Sequence, residues 1–317
     1  MALTALIALS VSVTPFHFPG GGVNDLAATI AKYTGQPCAI LMPGSGLYGR
    51  PIVSLREVTI TPDPERPRES LLEGLEREFG LVAEAKDLNA FSFGMWPCRI
   101  LRPYYEDCLY GPFSAPSPDS IIEGDGGLTI RLRGNEAIPV SRLEQYLRTG
   151  KAISSHWFYQ RLALAITAED VEKDRLLELV AATVGAKIKR SDLGAELLFD
   201  ASVFARRAAA TQEYFARAIG VDSARSTYRF VAEVYRTIPH DLLTEAFRTE
   251  HSSVSVGIKR DSRLWALALE SARRLAPDIQ SGIDLDRGME YELRAYDGDA
   301  TIIAWIRVGD KLTRVHF

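Results

Sequence analysis

The feature that most restricts what this chain can fold into is an apolar helical stripe ending on glycine, which returns about 150 residues later in the sequence. Residues 23–33 carry Val23, Leu26, Ala27, Ile30 and Ala31, the i, i+3, i+4, i+7, i+8 series of a helix that buries one face. Gly35 follows, where a helix needs a residue that tolerates a left-handed backbone. Residues 171–184 repeat the pattern with Leu176, Leu177, Val180, Ala181 and Val184, and Gly185 stands at the cap. Aligning the two pairs Leu26 with Leu176, Ile30 with Val180, Ala31 with Ala181 and Gly35 with Gly185. Each stripe is too short to be stable alone and must lie on an apolar surface, which the flanking segments have to supply.

Those flanks read as short strands. Ahead of the first helix, Val11, Val13, Phe16 and Phe18 alternate around Pro15, and Gly20 to Gly22 break the run. Residues 38–42 read as a buried strand and 52–60 as another, with a glycine-rich turn between them. Pro62, Pro64 and Pro67 then lead into a helix with Leu71, Leu72, Leu75 and Phe79 inward and Gly80 at its end. The order is β-α-β-β-α. Around the second stripe the same order is expected: strand 162–166, the helix, strands 186–189 and 196–199, then a helix over 203–219 before Gly220. The recurrence predicts a duplication, with a first module over residues 14–110, a connecting segment over 111–160 and a second module over 161–225.

In the connecting segment, residues 112–118 are rich in Pro and Ser, 123–127 form a tight-turn cluster and 128–132 alternate like a strand. Ser141-x-x-Glu144 has the form of a capping box, which predicts a helix starting at Ser141. Residues 226–317 combine helices (229–235, 242–247, 262–275) and a strand at 254–258 with a three-stranded meander over 289–296, 301–308 and 311–317, turning at Asp297-Gly298 and Gly309-Asp310. The fold class predicted is α+β: small mixed-sheet β-α-β-β-α modules, duplicated, followed by a C-terminal antiparallel β-meander.

A helix of the form Leu-x-x-x-(Ile/Val)-Ala ending in Gly, set between short strands and followed by a second helix, resembles the short N-terminal domain of secretins and TonB-dependent proteins. The residues that carry the resemblance are Leu26, Ile30, Ala31 and Gly35, then Leu71, Leu75, Phe79 and Gly80, with a closing strand over 89–95. It covers residues 11–97 and, less fully, 162–225. The resemblance implies a small cell-envelope module that assembles with neighbouring copies or partner proteins and brings no catalytic residues with it. The chain departs from secretins in lacking a long C-terminal series of amphipathic strands from which a barrel is built.

Charge and apolar runs narrow the setting. With 37 basic against 41 acidic side chains there is no excess of Lys and Arg to neutralise phosphates, so a nucleic-acid partner is not expected. Residues 2–13 are almost wholly apolar or small. They match the hydrophobic part of an export signal in length and are too short to span a bilayer. Read as a signal segment (1–13), they place the chain in the periplasm or cell envelope; read as a buried first strand, they leave it cytoplasmic. No other segment predicts an integral membrane helix. Cys98 and Cys108 flank a hairpin-like stretch and are expected to pair as a disulfide in an oxidising compartment, or to stay as two thiols otherwise.

Residues that could carry chemistry are sparse. Gly44, Gly46 and Gly49 fit G-x-G-x-x-G, but a β-type run follows in place of the helix a dinucleotide requires, so a turn is expected. The histidines are scattered without metal-ligand spacing, and no metal or cofactor is expected. His156, with Trp157 and Tyr159, is the candidate pocket, where an imidazole beside hydroxyls and aromatics can act as a base. Phe93, Trp96, Tyr104 and Tyr105 form one candidate interface cluster, and Leu312, Val315 and Phe317 on the last strand a second. No catalytic constellation is present. These features point to a non-enzymatic cell-envelope module protein that acts through protein–protein contacts or self-association. The alternative is a soluble enzyme or small-ligand-binding protein with a pocket between modules near His156.

Overall fold

The structure is a computed structural model describing residues 14–42, 50–93, 105–111, 115–125, 127–134, 136–148, 151–160, 162–218, 222–275, 289–296, 299–308 and 311–316. In chain order it begins with β1 (Phe16–Phe18), α1 (Val23–Thr34), β2 (Cys38–Leu41), β3 (Arg50–Leu55), β4 (Val58–Ile60), α2 (Pro67–Phe79), β5 (Val82–Ala83), β6 (Asn89–Ser92) and β7 (Tyr105–Gly111). The middle of the chain forms β8 (Ile121–Glu123), β9 (Gly127–Arg131), β10 (Ile138–Pro139), α3 (Val140–Leu147), β11 (Ala152–Ser155) and α4 (Trp157–Gln160). Then come β12 (Ala163–Glu172), α5 (Lys173–Val184), β13 (Ala186–Ser191), β14 (Gly194–Phe199), α6 (Ala201–Ala218), α7 (Asp222–Thr237) and α8 (His240–Ala246). The last part is β15 (Ser253–Ile258), α9 (Arg263–Leu275), β16 (Met289–Tyr296), β17 (Asp299–Val308) and β18 (Lys311–His316). Helices and mixed sheets are both well represented, and the fold is α+β.

The largest sheet runs β5-β6-β2-β12-β9-β8, with β10 also paired to β12. Strand β12 is its centre, because its ten residues hold β2 on one edge and both β10 and β9 on the other. Ala163 to Ala168 are almost uninterrupted apolar residues, the composition of a strand covered on both faces. Alternation sends Leu164, Ile166 and Ala168 into one core and Ala163 and Ala165 into the other. The first core is filled by α5 through Leu176, Leu179 and Val180. Opposite it, α1 and α2 contribute Leu26, Ile30, Leu71, Leu75 and Phe79, beneath the β1–β4 pair.

The two glycine-capped helices therefore lie on opposite faces of one sheet. Gly35 (φ 66°) and Gly185 (φ 77°) both take the left-handed conformation expected of caps, and Leu26, Ile30, Leu176 and Val180 are all buried. The order of elements recurs only in part, since three strands (β2, β3 and β4) lie between α1 and α2 where two (β13 and β14) lie between α5 and α6, and the pairing does not recur. Strand β1 pairs with β4 in a small sheet of its own, whereas β12, which holds the matching place in the second unit, is the middle of the large sheet beside β2. Strands β13 and β14 pair with each other, and β14 also pairs with β11 from the connecting segment. The physical reason is that the stripes of α1 and α5 each need a broad apolar surface, and one long strand buried on both faces serves both.

Two local expectations are corrected. Helix α3 begins at Val140 with Pro139 at its N-cap, so Ser141 lies inside the first turn and Ser141-x-x-Glu144 is no capping box. The extended run 52–60 is two strands, β3 paired with β7 and β4 with β1. The C-terminal meander forms as expected and gains β15, giving an antiparallel sheet ordered β15-β16-β17-β18. Among the described residues, β18 pairs on one side only, with β17. No helix among them is long and apolar enough to cross a membrane.

Candidate functional site

Helix α6 builds the site, and its start is fixed first. Asp200 caps it: its Oδ1 accepts from the N–H of Ser202 at 3.0 Å, the Ser202 hydroxyl at 2.6 Å and the N–H of Val203 at 3.3 Å. Lys187 sits 3.2 Å from the other carboxylate oxygen. Burial pushes the Asp200 carboxyl up, but these donors outweigh it and hold the group below its usual value. The Asp200 N–H in turn donates to Tyr159 Oη at 3.1 Å, and Tyr159 donates to the Gly185 carbonyl at 3.0 Å. The end of α5, the short α4 and the beginning of α6 are thereby tied at one phenol. Burial pushes its pKa up to about 12, against the pull of the Asp200 N–H and the Arg207 charge.

Arg207 follows further along α6 on its inward stripe with Phe204, Ala208 and Phe215. Its Nη2 donates to the Ala182 carbonyl at 3.1 Å and lies 2.9 Å from Glu84 Oε2. Glu84, just beyond β5, keeps only 3% of its side chain exposed and Arg207 only 16%. Ser92 Oγ donates to the other Glu84 oxygen at 2.5 Å, and Arg206 approaches within 3.6 Å. Burial draws the Arg207 guanidinium below the usual arginine value, while Glu84 opposes it. The Arg207 Nε is buried without a hydrogen-bond partner.

Above this ion pair, α2 and α6 stand apart and leave a cleft of about 570 Å³. Its floor includes Val82, Glu84, Ser92 and Phe93; α2 supplies Glu73, Glu76 and Arg77, and α6 supplies Thr211, Glu213, Tyr214 and Arg217. A second, enclosed cavity of about 30 Å³ lies behind it against Tyr159 and Phe158, and Ser92, Arg207 and Thr211 border both. That volume is large enough to admit a water molecule.

The residues singled out by sequence fall elsewhere, with two exceptions. Tyr159 lines the small cavity, and Phe93, expected at an interface, is buried in the core and forms part of the cleft floor. His156 packs among aromatics, with ring centroids 5.4 Å from Phe199, 5.6 Å from Trp157 and 6.2 Å from Tyr159. Its Nδ1 accepts from the Phe158 N–H at 3.3 Å, and burial lowers its pKa against the opposing Phe247 backbone and Glu196 charge. Trp157 Nε1 donates to the Phe247 carbonyl at 2.8 Å and its ring stacks on Phe247. Trp157 and His156 thus anchor the end of α8 to α4. Tyr105 and Cys108 lie on β7, and Leu312 and Val315 on β18. Trp96, Cys98, Tyr104 and Phe317 lie outside the described residues, as do 1–13 and the glycine turn 44–49. Among the described residues no group of three His, Cys, Asp or Glu is placed to hold a metal ion.

Sequence reasoning missed Glu84 and Arg207. The available signal was an arginine on the apolar stripe of an alanine-rich helix, a position that demands a buried partner. No protein-family model, no curated protein and no solved structure matches this chain.

Proposed function

We propose that this chain is a non-enzymatic cell-envelope module protein that works through protein–protein contacts, with the outer edge of the β15–β18 sheet as its contact element. The observation that carries the reading is that, among the described residues, β18 pairs on one side only, from Val308 opposite Lys311 to Ile303 opposite His316. An antiparallel strand directs alternate N–H and C=O groups away from its neighbour, and an unpaired row of them is a template for an added strand. The apolar run at residues 2–13, read as an export signal, supports an envelope location, as does the resemblance to secretin-type N-terminal domains.

Proline substitution tests the reading. Neighbouring N–H groups alternate between β17 and the open side, so only one of Thr313→Pro and Arg314→Pro removes an outward donor. That variant is expected to keep its thermal midpoint and lose self-association, or lose the envelope partner that co-purifies with the unaltered chain. Sedimentation velocity and co-purification read the two outcomes. If both variants retain every association of the unaltered chain, the β18 edge is not the contact.

A further inference from the structure

We propose that the cleft between α2 and α6 binds a short peptide with free termini, holding its ammonium against α2, its carboxylate against α6 and an apolar side chain on the floor. At about 570 Å³ the cleft is in the size range of small-ligand sites, and a single free amino acid would leave most of it empty. What selects the ligand is which charges around it are still available. Glu84 is committed to Arg207 and Ser92, and Glu213 is held by Arg236 as well as Arg217. Arg77 pairs with Glu78 at 2.8 Å, and Glu73 with Arg66 at 3.6 Å.

Two groups remain. Glu76, exposed on the α2 wall, has no ion-pair partner among the described residues. Arg217, on the α6 wall, is 80% exposed and lies 3.6 Å from a Glu213 already bound by Arg236, a surface contact of small net value. Anionic side chains on α2 and one loosely held cation on α6 thus border a floor that includes Val82 and Phe93, beside the Tyr214 ring of α6. Aromatic and aliphatic surface between opposite charges fits an apolar residue in a chain that carries both terminal charges. A purely anionic or cationic ligand would meet one complementary wall and one repelling it.

The experiment is titration calorimetry of the full chain at low ionic strength with Ala-Phe-Ala, its N-acetyl form, its C-terminal amide and triglycine. Free Ala-Phe-Ala is expected to bind, and triglycine to bind more weakly for want of the aromatic ring. Each terminal block is expected to weaken binding about fivefold, the size of a partly exposed ion pair. Glu73→Gln/Glu76→Gln should abolish the penalty for acetylation and leave that for amidation; Arg217→Gln should do the reverse. All three residues are exposed, so these changes do not threaten the fold. Absence of binding at millimolar peptide, or equal binding of the free, acetylated and amidated peptides, overturns the proposal.

Discussion

Replacing Glu84 with Gln tests whether the ion pair under the cleft organises this part of the molecule. The substitution keeps shape and the hydrogen bond from Ser92 but removes the charge facing Arg207. Because 84% of the Arg207 side chain is out of solvent, its charge would then have only the Ala182 carbonyl and distant water as compensation. Breaking a buried pair in this way costs about 3–5 kcal/mol, mostly the penalty of a stranded charge. Removing both charges in Glu84→Gln/Arg207→Met takes that penalty away, and the double variant should lie within about 1 kcal/mol of the unaltered protein. At about 2 °C per kcal/mol for a chain of this size, the single change should lower the thermal midpoint by roughly 6 °C or more and the double change by a third of that or less. Urea unfolding followed by circular dichroism measures the coupling directly. A single variant costing under 1 kcal/mol, or a double variant as unstable as the two singles combined, would refute the reasoning.

Four further outcomes follow from the packing. Gly185→Ala should cost more than Gly35→Ala, by about 1–2 kcal/mol in urea unfolding, because a Cβ at Gly185 meets Val203 Cγ1 at 2.7 Å and Arg207 Nη1 at 2.9 Å while nothing lies within 4 Å at Gly35. Leu176→Ala, at a fully buried position on α5, should cost about 2–5 kcal/mol, and an unchanged thermal midpoint would place the residue outside the core. Glu136→Ala strands donors that now lie 2.8 Å (Ser117 N–H), 2.8 Å (Ser120 Oγ) and 2.9 Å (Arg133 N–H) from its carboxylate, and a loss of about 1–2 kcal/mol is expected by the same assay. His156 has a folded pKa below its ordinary 6.5, so the unfolded chain takes up its proton first as pH falls. Its contribution is present above pH 6.5 and is lost below it, and His156→Phe should flatten the decline in stability between pH 7.5 and 5.5 measured by urea titration.

Much of the fold is legible in the sequence because period and caps are local properties. The stripes at Leu26 and Leu176 and the glycines that end them act through neighbours within a few residues, and the corresponding helices form where the pattern places them. Short strands without a two-residue alternation, such as β5 and β10, carry no such signal and exist only because β6 and β12 offer them an edge. The capping box failed for a related reason. Pro139 has φ −61°, already suited to precede a helix, so the chain turns helical before Ser141 and the local motif is overtaken.

Pairing between distant strands is where local reading stops, and the site depends on such pairing. Two helices of equal pattern imply two small sheets only if each small sheet can cover a stripe, and β1–β4, with three residues in each strand, offers too little surface for α1. The chain instead spends β12 on both helices, which brings α5 and its cap at Gly185 beneath the start of α6. That placement sets Arg207 beside Ala182 and Glu84, residues from segments that share no motif and no proximity in sequence. The cleft therefore arises from the way the segment from β12 to α6 is folded onto the segment from β1 to β6, rather than from either segment by itself. An isolated fragment spanning residues 161–225 would keep the stripe of α5 but lose β2 and β6, the surface that α5 covers. Such a fragment should expose Leu176 and Val180 and bind hydrophobic dye, whereas a self-contained second module would fold without them and leave the dye dark.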